Sequence, residues 1–580
     1  MSDTTATARN VDARNAGDVL VELAKHHGVE RAFGIVSVHN QPLVDALVAA
    51  GRYVAVRHEA TCVSAADAYA RVAGRLGIAV TSTGTGAGNA AGALVEALTA
   101  GTAVLHVTGQ IDSPFLGQGR GVIHETKDQL GMLTAVSKRA LTVGATDRVA
   151  ATLADAAALA LAPPAGPVSV EVPIDLQYGR IADRFSPVEP QRPAAPEPAE
   201  LGAAVALLAA AKRPLVWLGG GAIGAGTEIA ALVDRLGAGV LTSNAGRGAL
   251  REDSANVVGN FASHPEVAEL LAGADLLVSV GTHFRSNETK HYQLVLPRPH
   301  VQIDIDPAAL GRAYAVDVGI VGDSGVVVGA LLDGLDDVAP DPAWSGAVTA
   351  ARDRARASLR RAIGPYAVLC DAMRAAFDES SPLVRDVTIP ASSWGNRLLP
   401  VHDATTNVNP RGGGIGQGLG MAIGAAAARP DVPTALMVGD GGLAVHLGEF
   451  GTVAGEQPWL VMIVFNDGGY GVLRNLQDRH FGRRAGVDLA TPDFASLAAA
   501  YDLEHRRIES ADQCAEVLDQ AVARHAPVVV EVDCDAFGPM PEPFVPPVPV
   551  HMNRPSEFMP AARTAVSPMA MACEAPPESR

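Results

Sequence analysis

Asp440 stands between glycines in ALMVGDGGLAV, and Asn466 opens a second glycine-rich turn in MIVFNDGGYG. An apolar run, TALMV or LVMIVF, leads directly into each. Gly439, Gly441, Gly442, Gly468 and Gly469 leave the backbone bare, so a phosphate can approach it and take hydrogen bonds from its N–H groups. Asp440 offers a hard anionic oxygen and Asn466 a neutral amide oxygen, donors that suit magnesium. A backbone carbonyl of the second turn, assigned to Gly468, completes the protein's share of an octahedral site. The positions left over suit phosphate oxygens and water. A GDG turn after a strand is common. Paired with a distant NDGG that also ends an apolar run, it points to a diphosphate held through a metal.

Such residues must be presented by strand ends. Short β-rich runs alternate with longer Ala/Leu-rich patterns throughout: GIAVTSTG, AVLHVTGQ and PVSVEVP, then RPLVWLGGG, LLVSVGT and HVQIDID, then TALMVGDGG, LVMIVFND and PVVVEVD. Nearly continuous apolar runs of this length are strands buried on both faces. The expected fold class is α/β, with three parallel-sheet domains and ligands at the carboxyl ends of the strands. Proline-rich passages at 184–200 and 336–344 divide the chain into residues 1–183, 201–335 and 345–540, followed by a Pro-rich tail at 541–580. The two strongest turns lie in the third block.

At 580 residues the chain exceeds what one core can bury. Apolar residues form 48% and charged residues 19%, the proportions of a folded soluble protein. A net charge of −18 without a basic cluster argues against a nucleic-acid partner. Five scattered cysteines without a CxxC pair argue against disulfides or zinc and for a reducing cytoplasm. The N-terminus, MSDTTATARNVDARNAG, lacks the apolar segment of a signal peptide. The longest uncharged run, GIAVTSTGTGAGNAAGALV, is too polar to span a membrane. A cytoplasmic protein with no membrane partner is expected.

Further segments recur in a fixed order: YVAVRHEATCVSAADAYA, TSTGTGAGNAAGAL and NPRGGGIGQGLGMAIGAA, then the GDG and NDGG turns. Together, over residues 15–540, they resemble the thiamin-diphosphate enzymes, in the branch of acetolactate synthase, oxalyl-CoA decarboxylase and benzoylformate decarboxylase. The resemblance implies a pyrimidine-binding domain, a central Rossmann-like domain and a diphosphate-binding domain, with Mg2+ and thiamin diphosphate as cofactors. It implies that Glu59 hydrogen-bonds N1′ of the cofactor's aminopyrimidine. It also makes the Gly413 carbonyl the acceptor for the 4′-amino group and Ile415 the aliphatic prop that bends the cofactor into a V. Thr85 departs from the pattern, which commonly has proline there. In the family the first and third domains meet across a dimer interface, so a homodimer is the minimum and a homotetramer the expected assembly.

The substrate side is less uniform. Pyruvate decarboxylases carry acids where this chain has Val38 and Val472, and benzoylformate decarboxylase carries a histidine where it has Ser82. Leu476 replaces the tryptophan with which acetolactate synthase selects its second substrate, and His124 replaces a glutamine. Gln110 and His124 are candidate catalytic residues, and Ser392, Ser393 and Trp394 fall where the family shapes its substrate cavity. The middle block carries Gly219-Gly220-Gly221-Ala222-Ile223-Gly224, a GxGxxG match after the run PLVWL. In the family that domain is empty, holds FAD or binds the ADP part of coenzyme A; an empty domain is expected here. The resulting expectation is an acetolactate synthase-like carboligase acting on a 2-oxo acid. Its alternatives are a benzoylformate-type decarboxylase and a 2-hydroxyacyl-CoA lyase or oxalyl-CoA decarboxylase-like enzyme.

Overall fold

A computed structural model describes residues 14–546, apart from 183, 192, 194 and 337. Most of the tail assigned to 541–580 therefore lies outside the described residues.

Three six-stranded sheets follow one another along the chain, and all their strand pairs are parallel. The first comprises β1 (Ala32–Gly34), β2 (Tyr53–Ala55), β3 (Gly77–Thr81), β4 (Val104–Gln110), β5 (Arg139–Thr142) and β6 (Val168–Pro173), in the order β2-β1-β3-β4-β6-β5. The second comprises β7 (Pro214–Leu218), β8 (Gly239–Thr242), β9 (Val257–Gly259), β10 (Leu276–Val280), β11 (His300–Asp304) and β12 (Val318–Val321), in the order β12-β11-β10-β7-β8-β9. That order is the doubly wound arrangement of dinucleotide-binding folds. The third comprises β13 (Leu383–Arg385), β14 (Asn407–Val408), β15 (Thr434–Gly439), β16 (Leu460–Asn466), β17 (Glu504–Ile508) and β18 (Val528–Asp533), in the order β14-β13-β15-β16-β18-β17. Its order repeats that of the first sheet. The expected α/β class with three parallel sheets is what forms.

The third sheet is shared between two cores. Leu436, Val438, Met462 and Val464 face a cluster continuous with the first sheet, through Ile78, Val80 and Val107. The alternate residues Ala435, Met437, Val461, Ile463 and Phe465 face a cluster continuous with the second, through Trp217 and Phe284. The two-residue period of a strand thus ties the three sheets together.

Four helices position the site: α1 (Glu59–Ala73), α2 (Thr85–Ala100), α3 (Gly418–Ala428) and α4 (Gly471–His480). Helix α1 starts at His58, whose ring accepts from Ala60 N–H, and stops at Gly74, which takes a left-handed conformation with φ of 64°. It is lined with small residues because α3 lies directly on it. A Cβ at Gly424 would sit 2.0 Å from the Ala65 carbonyl oxygen, and one at Gly420 would sit 2.2 Å from Ser64 Oγ. The two helices touch backbone to backbone, and one methyl group has no space there. Gly424→Ala should therefore cost about 3 kcal/mol, the upper range for overpacking. Differential scanning calorimetry checks this, and an unchanged transition would mean that the seam relaxes freely.

The middle sheet's GGGAIG segment also has a packing cause. Cβ atoms at Gly219 and Gly221 would lie 2.1 Å from the Gly281 carbonyl oxygen and 2.8 Å from Gly281 Cα. Nearby, a fully buried pair joins this sheet to the third. Arg247 binds both oxygens of Glu252 at 2.7 and 2.6 Å and donates to the carbonyls of Gly395 and Leu399. Among the described residues, no helix is long and apolar enough to cross a membrane.

Candidate active site

Strands β15 and β16 pair in parallel with Gly439 opposite Phe465, so Asp440 and Asn466 leave adjacent strand ends at the same level. Neighbouring strands lie about 4.8 Å apart, which brings the two turns together. Asp440 is 0% exposed, and both of its carboxylate oxygens lack a hydrogen-bond partner among the described residues. Burial raises its pKa. The backbone amides of Gly441, Asp467 and Gly469 and the Asp467 carboxyl lie close enough to oppose that rise, without completing a hydrogen bond of normal geometry. Asn466 is oriented by its Nδ2, which donates to Glu531 Oε1 at 2.8 Å, while Glu531 Oε2 meets His505 Nε2 at 3.0 Å. With its nitrogen committed, the amide oxygen is the atom left to coordinate.

A residue not singled out in the sequence completes this corner. Asp467 is pushed up to about 6 by burial and by the charge of Asp440, against the pull of Arg474. Two crowded carboxyl groups and two orphaned oxygens form a donor set that a divalent cation would satisfy. The second turn needs its glycines. Gly468 has φ of 77°, and Gly469 has φ of 147° with a Cβ position only 2.2 Å from the Val487 carbonyl oxygen. At Gly441 a Cβ would meet the Tyr470 ring at 2.8 Å.

The loop 412–416 forms the facing wall. Ile415 stays 38% exposed although it is a large aliphatic, and its Cγ1 lies 3.6 Å from the Cβ position of Gly442. Gly413 adopts φ of 88° with open space where a side chain would stand. Two carboxylates outside any quoted motif fix this loop. Glu96 on α2 accepts from the N–H groups of Gly412 at 2.5 Å and Gly414 at 2.6 Å, on either side of Gly413. Asp386, after β13, accepts from Gly416 at 3.1 Å and Gly418 at 3.0 Å. Burial pushes Asp386 up to about 6 despite these donors. Hydrogen bonds to a charged group contribute about 1.5–3 kcal/mol each. Glu96→Ala should therefore lower thiamin diphosphate affinity by about tenfold or more, measured by calorimetry, and unchanged affinity would show that the loop holds itself.

Glu59 opens α1 at the other end of α2. Its Oε2 accepts from Asn89 Nδ2 at 3.0 Å, and its Oε1 lies 3.0 Å from where a Cβ on Gly86 would be, a spot also 2.8 Å from Ser82 Cβ. Glu59 and Ser82 thus share one small volume, and Ser82 Oγ is buried without a partner among the described residues. Val38 is exposed beside His39, whose ring lies 5.2 Å from that of His124 at a tilt of 51°. Burial, then His124, lowers the pKa of His39. Gln110 is buried in a closed polar network. Its Oε1 accepts from Ile111 N–H at 2.8 Å, and its Nε2 donates to Glu171 at 3.0 Å. Ser392 lines a large cavity with Gly413. Ser393 donates to the Ile389 carbonyl at 2.7 Å, and Trp394 packs in the core against Phe465. Val472 and Leu476 are half-buried on α4.

Three stretches of the chain match the thiamine pyrophosphate enzymes. Residues 14–132 match the N-terminal TPP binding domain, 201–331 the central domain, and 391–532 the C-terminal TPP binding domain. A probable 2-ketoarginine decarboxylase of Pseudomonas aeruginosa is 32% identical over 89% of this chain and 93% of that protein. The acetolactate synthase isozyme 2 large subunit of Escherichia coli is 28% identical over 92% of this chain and 98% of its own length. A probable acetolactate synthase large subunit of Methanocaldococcus jannaschii is 27% identical over 91% and 93%. An orphaned acid between two glycine turns, a propped loop and a carboxylate at a helix start are thus explained together: the chain belongs to the thiamine pyrophosphate enzyme family, as a thiamin diphosphate-dependent carboligase or decarboxylase.

Proposed function

We propose that this enzyme is magnesium-dependent, takes 2-oxo acids and works as an acetolactate synthase-like carboligase. The observation that carries the metal is Asp440, buried and without a partner at both oxygens beside Asn466. Asp440, Asn466 and the Gly468 carbonyl would hold Mg2+, and the N–H groups of both glycine turns would hold the diphosphate. Bound thiamin diphosphate supplies a weakly acidic thiazolium C–H and a sink for the electrons released when a carboxyl group leaves as CO2. Glu59 would hold a proton at the pyrimidine N1′, which would make the 4′ nitrogen basic. The Gly413 carbonyl would orient that nitrogen, and Ile415 would prop the bound cofactor from the facing wall.

Val38 and Val472 support carboligation over simple decarboxylation, since neither can deliver a proton to the reacting carbon. The relative named as a 2-ketoarginine decarboxylase supports the second reading, release of an aldehyde. Incubating the holoenzyme with a panel of 2-oxo acids and separating acyloins from aldehydes decides between them. Aldehyde alone would sink the carboligase.

A second copy of the chain would complete each site. Gly86, against Glu59, and Glu96, against the loop 412–414, are ten residues apart on α2. That is about 15 Å of helix. This span supports a dimer in which Glu59 of one chain faces the loop of the other, with a tetramer as the expected assembly. Analytical ultracentrifugation tests it, and an active monomer would overturn it. The middle domain is proposed to work without FAD, which the absorption spectrum of the purified protein checks.

A further inference from the structure

A cavity of about 880 Å3 opens where loops of all three sheets meet. Gly413 and Ser392 line it from the cofactor side, and Arg285, Arg312, Arg385 and Arg411 line it elsewhere. No residue of the two glycine turns reaches it, so its charge is not spoken for by the cofactor's diphosphate. None of the four arginines makes an ion pair among the described residues.

Two carboxylates on its wall, Asp386 and Glu288, do not balance the four arginines. Asp386 takes the N–H groups of Gly416 and Gly418, and Glu288 takes that of Asn244 at 2.7 Å. Arg411 is the least satisfied of the buried cations on this wall, with a single hydrogen bond where Arg385 has two. It is 8% exposed, Nη2 donates only to the Asn407 carbonyl at 3.2 Å, and Nη1 is buried with no partner. Its charged neighbours are mainly other cations, Arg71, Arg285 and Arg385; of the acids that face it, Asp67 is already held by Arg71, and Glu288 is shared with Arg285 and Arg397. A guanidinium taken out of water without a counter-charge is unfavourable, and its planar fork matches a carboxylate or phosphate.

We propose that this cavity binds a second oxyanion of the substrate or acceptor, a carboxylate or phosphate remote from the reacting carbonyl, with Arg411 and Arg285 as its ligands. The proposal rests on the 2-oxo acid reading above and narrows it to dicarboxylic or phosphorylated carbonyl compounds. It also separates this enzyme from the relative named for 2-ketoarginine, whose guanidinium side chain would be repelled here.

The test uses holoenzyme saturated with thiamin diphosphate and Mg2+. Succinate and inorganic phosphate are titrated by calorimetry, and turnover of 2-oxoglutarate and 3-phosphonopyruvate is compared with that of pyruvate. At least one of the two inert anions should bind saturably. Arg411→Gln and, as the less buried site, Arg285→Gln should each weaken that binding at least tenfold. Each should lower the ratio of kcat/KM for the dianionic substrate over pyruvate by a similar factor. Succinate without phosphate assigns a carboxylate, and phosphate without succinate assigns a phosphate ester. No binding of either anion, or equal binding by wild type and both variants, overturns the proposal. A failed cofactor titration, or no turnover of any 2-oxo acid, would instead overturn the broader reading, because binding of the inert anions does not depend on catalysis.

Discussion

Glu59→Gln should bind thiamin diphosphate within about twofold of wild type and turn over about a thousandfold more slowly, in the range that a positioned acid or base contributes. The side chain keeps its size and can still accept from Asn89, so the start of α1 and the fit against Gly86 are preserved. What is lost is the negative charge. A neutral amide cannot stabilise a proton on the pyrimidine N1′, so the 4′ nitrogen remains a poor base. Cofactor titration followed by steady-state kinetics separates the two effects. Normal turnover would remove Glu59 from the mechanism, and lost binding would make it a structural residue.

Asp440→Ala should act the other way round. Losing a direct metal ligand should cost more than a hundredfold in Mg2+-dependent cofactor affinity, beyond the effect known for residues that only support a ligand. The empty protein should become more stable at the same time. A buried polar group without a partner costs about 1–3 kcal/mol, and the variant removes two unsatisfied oxygens and the repulsion felt by Asp467. Calorimetry with and without Mg2+ reads the first effect, and thermal unfolding of the apo forms reads the second. If the apo variant were less stable than wild type, Asp440 would be holding the turn together and the assignment of a metal would fail.

The nine runs read as strands became β3, β4 and β6, β7, β10 and β11, and β15, β16 and β18. In every sheet these are three adjacent interior strands. Burial on both faces demands a continuous apolar run, and that pattern is visible without a structure. The remaining strands lie to either side. They include β14, with only two residues, and β17, EHRRI, whose charged residues hide its strand character. The turns holding Asp440 and Asn466 were legible because the chemistry is local: glycine, acid and amide directly after a strand. Glu96 was not, because its partner Gly412 is 316 residues away and nothing near it in the chain marks the contact. Asp386 was hidden because it follows β13, a strand no apolar run marks, although Gly416 and Gly418 are only 30 and 32 residues on. Asp467 stood inside a quoted turn, but its coupling to Asp440 depends on two strand ends lying side by side. Trp394 falls at a pocket position in the sequence, yet its side chain is fully buried beside Phe465.

The contact of α1 with α3 also limits how this enzyme can breathe. With the Ala65 carbonyl occupying the place of the missing Gly424 side chain, neither helix can slip along the other without a collision. The first and third sheets must travel as one rigid wing. Helix α4, where only Gly471 is buried, is moored far more lightly than that wing.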